Sequence, residues 1–187
     1  MWSEWHLPTR NLPVVGEGFS QQASLLVSVL IRYPELVSAR FGPVDGNFVF
    51  SVMLSGACAD SEIDEFRQIV NDHLAAFMQL AGEQEYTCEL VGVRYGEHTL
   101  LEFTSDVASL SQQEISLIMS LVRAHFSTKL LYEASELLRE EDNLLQEEII
   151  DEILEDVRVM DSCRELVGYR EAGRVLVFNR KPAETSK

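Results

Sequence analysis

Cysteine is scarce in this sequence, and what there is does not cluster. Cys58, Cys88 and Cys163 are odd in number, widely separated and form no Cys-x-x-Cys pair. That excludes a disulfide framework and the usual zinc pattern, and it fits a reducing compartment. Long apolar runs are missing as well. The densest, Leu25 to Ile31, is far too short to cross a bilayer. Met1 to Pro13 carries two tryptophans but no basic stretch followed by an apolar one, so no signal peptide is expected and the expected compartment is the cytoplasm. Basic residues are the third shortage: 15 Lys and Arg stand against 31 Asp and Glu, a net charge of −16 with a pI near 4.5. A duplex binder neutralises phosphates with clustered Lys and Arg, and an anionic membrane repels a chain like this one. Neither nucleic acid nor membrane is an expected partner; basic proteins, basic peptides and divalent cations are compatible with the charge.

Catalytic signatures are also lacking. No Ser, Cys or His sits in a recognisable nucleophile motif. His6, His98 and His125 have no metal-ligand spacing, and His73 falls on the apolar face of a helical pattern, where a core histidine is expected. Gly16-x-Gly18 has neither a third glycine nor a P-loop lysine.

What is present is an ordinary globular composition. Of 187 residues 46% are hydrophobic, enough for one sizeable core. Residues 1–18 read as an extended arm, with Pro8 and Pro13 opposing helix and Gly16 and Gly18 ending it. Residues 19–180 read as a single domain, and 181–187 as a loose polar tail.

Within the domain, helices and hairpins alternate. A helix is expected from Ser20, as its cap, to Tyr33, with Leu25, Leu26, Val29 and Leu30 on one face and Pro34 closing it, while the β-branched content leaves a strand reading open. Leu36 to Leu54 reads as a hairpin broken by Gly42-Pro43-Val44-Asp45-Gly46. Ser61-Glu62-Ile63-Asp64 resembles a capping box, opening a helix to about Ala81 whose apolar positions are Ile63, Phe66, Val70, Leu74, Phe77 and Leu80 or Ala81; Gly82 ends it. Tyr86 to Phe103 is a second hairpin turning at Gly96-Glu97-His98. Ser111-Gln112-Gln113-Glu114 caps a helix carrying Ile115, Ile118, Met119, Val122 and Phe126, with helix expected to continue, with or without a break, to about Met160. A third hairpin runs from Glu165 to Asn179 around Ala172-Gly173. The expected fold is α+β: an antiparallel sheet of β-hairpins alternating with helices, in the order α-ββ-α-ββ-α(α)-ββ, with the helices on one face and a long acidic helical segment toward the C-terminus.

A weak repeat runs through the hairpins. Glu35 to Arg40, Glu89 to Arg94 and Glu165 to Arg170 share E-L-V-[SG]-x-R. Strand alternation places Val37 and Ala39, Val91 and Val93, and Val167 and Tyr169 on an expected core face, with the arginines opposite. The arginines are expected to pair across strands with glutamates such as Glu102.

The strongest local feature is Leu131 to Met160, with eleven acids against Arg139 and Arg158. Apolar pairs recur every seven residues: Leu130-Leu131, Leu137-Leu138 and Leu144-Leu145, followed by Ile149-Ile150 and Ile153-Leu154. Such a stripe packs on the domain or on a partner while the acids face solvent. Leu131, Leu138, Leu145, Ile149 and Ile153 are therefore the expected partner-binding residues, in contact with another protein or with a second copy as a homodimer.

A second reading takes the acids as ligands. Glu133-x-x-Glu136 and Glu148-x-x-Asp151 resemble the paired E-x-x-E and E-x-x-D helices of the all-α NTP pyrophosphohydrolases, the dimeric dUTPase-like group. That resemblance implies Mg²⁺ held by Glu133, Glu136, Glu148 and Asp151, gripping substrate phosphates and activating water. It covers about 20 residues in the spirit of a short motif, and it needs a tight turn at Arg139-Glu140-Glu141-Asp142-Asn143. In architecture alone, the helix-then-hairpin order and acidity resemble the type III secretion-chaperone-like folds. The leading expectation is a non-catalytic acidic interaction module (an adaptor, regulator or chaperone-like protein); the alternative is a Mg²⁺-dependent nucleotide pyrophosphohydrolase.

Overall fold

The computed structural model describes residues 17–41, 46–82, 88–132, 140–159 and 165–179. Their elements are α1 (Glu17–Arg32), β1 (Leu36–Phe41), β2 (Asn47–Ser55), α2 (Asp60–Ala81), β3 (Cys88–Tyr95), β4 (His98–Asp106), α3 (Gln112–His125), β5 (Leu130–Leu131), α4 (Glu140–Arg158), β6 (Leu166–Glu171) and β7 (Arg174–Asn179). The fold is α+β. All three hairpins enter one antiparallel seven-stranded sheet, ordered β3-β4-β2-β1-β6-β7, with β5 added to β2.

β2 is the centre of that sheet because it can be buried on either side. Phe48, Phe50, Val52 and Leu54 point one way, and Phe50 stacks on Phe103 of β4 with ring centroids 5.2 Å apart. Such pairs add about 0.5–1.5 kcal/mol to the burial of their rings. β1 pairs one edge of β2 and β4 the other, and β6 then pairs β1 through Ser38, Ala39 and Arg40, which brings in the third hairpin.

The helices cover one face. α2 lays Ile63 against Gly92, where an added Cβ would stand 2.3 Å from the Ile63 Cδ1. α1 lays Leu26 and Leu30 against Gly168 in the same way. α3 brings Glu114 to Ser105, and α4 packs outside α1 through Ile150, Leu154 and Val157.

Several expectations need correction. α1 opens at Glu17, inside the expected arm, so Ser20 is a helical residue and not the cap. α2 opens at Asp60 with Ala59 at the cap position and no side-chain cap bond, so Ser61 caps nothing. Its buried stripe is Ile63, Phe66, Val70, Leu74 and Met78, while Leu80 is 90% exposed. Successive steps of four residues overshoot a 3.6-residue turn, so the stripe drifts around the helix. His73 is exposed, its Nδ1 on the Ile69 carbonyl oxygen. Of the two possibilities for the helical stretch toward Met160 the broken one is found, with a short strand inside the break that was not expected. α3 stops at His125, where Phe126 turns in against Phe66, and Leu130-Leu131 adds two residues to the part of β2 that β1 leaves unpaired.

The sheet faces are the reverse of the expectation for two of the repeats. Gly92 and Gly168, not the flanking Val91, Val93, Val167 and Tyr169, lie beneath the helices. Small residues mark where the helices press closest. In β1 an extra residue between Leu36 and Ser38 restores Ala39 to the covered face and sends Arg40 to the other.

The residues expected to form the N-terminal arm, up to position 16, and the tail 181–187 lie outside the described residues. No helix among the described residues is long and apolar enough to cross a membrane.

Candidate interaction surface

The acidic helix α4 is held in place partly by its acids. Arg32 of α1 donates to Glu147 at 2.5 Å, Gln21 to Asp156 at 2.9 Å, and the backbone N–H of Gln112 to Asp151 at 3.2 Å. Asp151 thus sits at the N-terminus of α3, where a carboxylate meets both a free N–H and the positive end of the helix dipole. Beside it, Ser111 accepts from the Glu114 N–H at 3.1 Å, as its sequence context foretold.

Of the four carboxylates in the Mg²⁺ reading, Glu148 is exposed and Asp151 accepts the Gln112 N–H just described. Glu133 and Glu136 lie outside the described residues. Glu140 to Asn143 form the first turn of α4, so the reversal that reading requires has to come before Glu140. Among the described residues no group of three or more His, Cys, Asp or Glu is placed to hold a metal ion.

The expected partner-binding residues separate in space. Leu131 belongs to β5 and Leu138 lies outside the described residues. On α4, Leu144 and Leu145 are exposed, Ile149 is half-buried and Ile153 packs against the core.

The sheet itself carries the larger apolar surface. Opposite the helices, cross-strand rows put Val91 beside Glu102 and Ser51, Val93 beside Leu100 and Met53, and Val167 beside Phe178. Leu131 continues the row of Met53. Val91, Val93, Leu131 and Phe178 are 38–47% exposed, and Tyr95 66%. The Tyr169 ring stacks on Phe178 at 5.4 Å. Arg40 reaches Glu102 across this face at 3.7 Å, the cross-strand pairing expected of it. No described element lies over these residues.

One signal for this surface was legible. Phe48-Val49-Phe50-Ser51-Val52-Met53-Leu54 is apolar on both strand faces, and such runs belong to sheets covered on both sides. The helices supply only one of those covers.

An open pocket of about 310 Å³ indents the sheet where β1 begins. Leu36 and Val37 of β1, Met53 of β2, Leu131 and Tyr132 at β5, and Arg170 of β6 form its walls. The notch exists because β5 occupies the edge of β2 below the start of β1, while β6 pairs β1 only up to Tyr169. Arg170 donates from Nη2 to the Leu30 carbonyl oxygen; its enclosed Nε has no hydrogen-bond partner.

Two buried groups are shifted in their titration. Burial pushes the Cys88 thiol up to about 12, with the Glu114 charge acting in the same direction and a Ser105 hydrogen bond opposing. Burial likewise raises the Tyr33 phenol, against hydrogen bonds from Ser116 and Gln112. Neither faces the pocket or the open sheet face, and both serve the interior.

No protein-family model, no curated protein and no solved structure matches this chain.

Proposed function

We propose that this protein is a non-catalytic acidic interaction module, an adaptor, regulator or chaperone-like protein of the cytoplasm, that binds a protein partner on its open sheet face. The observation that carries this reading is the sheet's asymmetry: strands apolar on both faces have helices on one. Val91, Val93 and Tyr95 on β3 and Leu131 on β5, with Phe178 at the far edge on β7, supply exposed apolar side chains of the kind that marks interaction sites. Aromatic side chains are well suited to anchor such contacts.

Charge favours a basic partner over a second copy. Two chains of −16 repel one another, whereas a basic protein is steered toward the surface. The residues first expected to bind, Leu131 through Ile153, contribute to this reading mainly through Leu131.

The test compares wild type with a Val91→Lys, Val93→Lys double variant, using a pull-down at moderate salt and light scattering. Both valines are half-exposed on an edge strand, so the variant keeps its far-UV circular dichroism and melting temperature. A stoichiometric basic partner, lost in the variant, is the expected result. A homodimer that the same substitutions dissolve would transfer the face to a second copy. A monomer whose captured proteins are identical in both forms would defeat the interaction reading.

A further inference from the structure

We propose that the pocket beside Arg170 is a binding site for a small apolar monocarboxylate, of the size and chemistry of a medium-chain fatty acid. The inference goes beyond the interaction surface and does not rest on it.

Size sets the first limit. The pocket's 310 Å³ is about twice the ~150 Å³ cavity that accepts a benzene ring, so it takes roughly a dozen non-hydrogen atoms. It falls at the small end of ligand sites. Its walls set the second limit. Leu36, Val37, Met53 and Leu131 give it an apolar body, and a ligand that fills it must be largely hydrocarbon.

Arg170 sets the third. Arg32, Arg123 and Lys129 reach into packed regions and each meets a carboxylate, on Glu147, Glu35 and Glu62. Arg170 makes no ion pair among the described residues, in a chain with twice as many acids as bases. Its hydrogen bond to the Leu30 carbonyl uses one nitrogen and fixes the guanidinium in position at the pocket wall.

A fixed planar guanidinium beside an apolar cavity matches one carboxylate. A cationic ligand is opposed by that same charge. Phosphates and nucleotides need more than one cation, and the net −16 works against any polyanion. Arg170 is also the odd member of its repeat: its counterpart Arg40 is tied to Glu102, and Arg94 stands exposed on β3.

The test uses the full chain and three probes of one length: octanoate, 1-octanol and octylamine. Calorimetry and thermal shift read the binding. Octanoate raises the melting temperature with concentration, as a ligand of the native state must. Octanol binds about tenfold or more weakly, the loss expected for a charge-assisted hydrogen bond. Arg170→Met levels the two probes, whereas Arg170→Lys keeps part of the preference. Because Arg170→Met also removes the bond to Leu30, Leu131→Trp provides an independent variant: it fills the pocket from a partly exposed position and abolishes octanoate binding. The Val91→Lys, Val93→Lys variant leaves octanoate affinity unchanged. Equal affinity for octanol and octanoate, no octanoate binding, or undiminished binding in Leu131→Trp would each overturn the proposal.

Discussion

Single residues decide how closely the layers meet, and the sharpest case is a pair of glycines. Gly92 and Gly168 let Ile63 and Leu30 press onto the sheet at distances where a Cβ would have to displace them. The repeat E-L-V-G-x-R was visible in the sequence, but its faces were not. Size and hydrophobicity put the valines inward; close helix approach put the glycines there instead. Cys88 shows the same dependence on surroundings. Its thiol, raised to about 12 by burial, ionises near 8.5 once unfolded. Between those values the unfolded chain has lost a proton that the native chain keeps, so stability is complete below about pH 8.5 and falls as pH rises toward 12. Urea midpoints measured at pH 7 and pH 10 should therefore drop at the higher pH in wild type. In Cys88→Ala the drop should be smaller, with Tyr33, whose phenol is shifted in the same direction, as one source of what is left.

Elements are where sequence reasoning reached furthest and where its errors are most instructive. Ser111 as the cap of α3, Gly82 in the left-handed conformation that ends α2, and the Ala172-Gly173 turn were all legible, because each rests on backbone chemistry within a few residues. The place of the break, after His125, and the strand within it were not. The leucines at 130 and 131 continue a helical pattern, and only the unpaired end of β2 offers them a better place. The acids of α4 divide in a similar way. Asp151 holds the N-terminus of α3 and Glu148 faces solvent, although both belong to one E-x-x-D motif. Asp151→Ala should cost about 0.5–2 kcal/mol, the range for loss of a helix cap, with Glu148→Gln near wild type. Urea unfolding of the two variants reads the difference directly, and equal midpoints would mean that Asp151 does not support the N-terminus of α3.

The whole molecule is governed by its charge and by its uncovered sheet. α4 carries nine acids and Arg158, and its ion pair with Arg32 engages one of them, Glu147. Repulsion among the rest acts over the Debye length, about 10 Å at 0.1 M salt and shorter above it. Raising NaCl should thus raise the melting temperature, since relief of repulsion outweighs the screening of exposed pairs, which are worth about 0–1 kcal/mol each. Neutralising the exposed Glu152 and Glu155 as glutamines should flatten that salt dependence in a differential scanning experiment; a steeper one would place the repulsion elsewhere. The open sheet face and the pocket at its lower edge share Leu131 and Met53, so whatever covers the face passes close to the notch.

The sequence by itself determined the element types apart from β5, the three hairpins, the α+β class and the acidity, because periodicity, turn chemistry and charge are local properties of the chain. Tertiary structure alone decided which face of each strand the helices cover, that β1 and β6 join the hairpins into one sheet, and that Arg170 borders a pocket with no ion pair among the described residues. Those outcomes depend on contacts between residues up to 140 positions apart, such as Arg170 with Leu30. A strand apolar on both sides has no preferred face until another element occupies one of them, and here the helices made that choice.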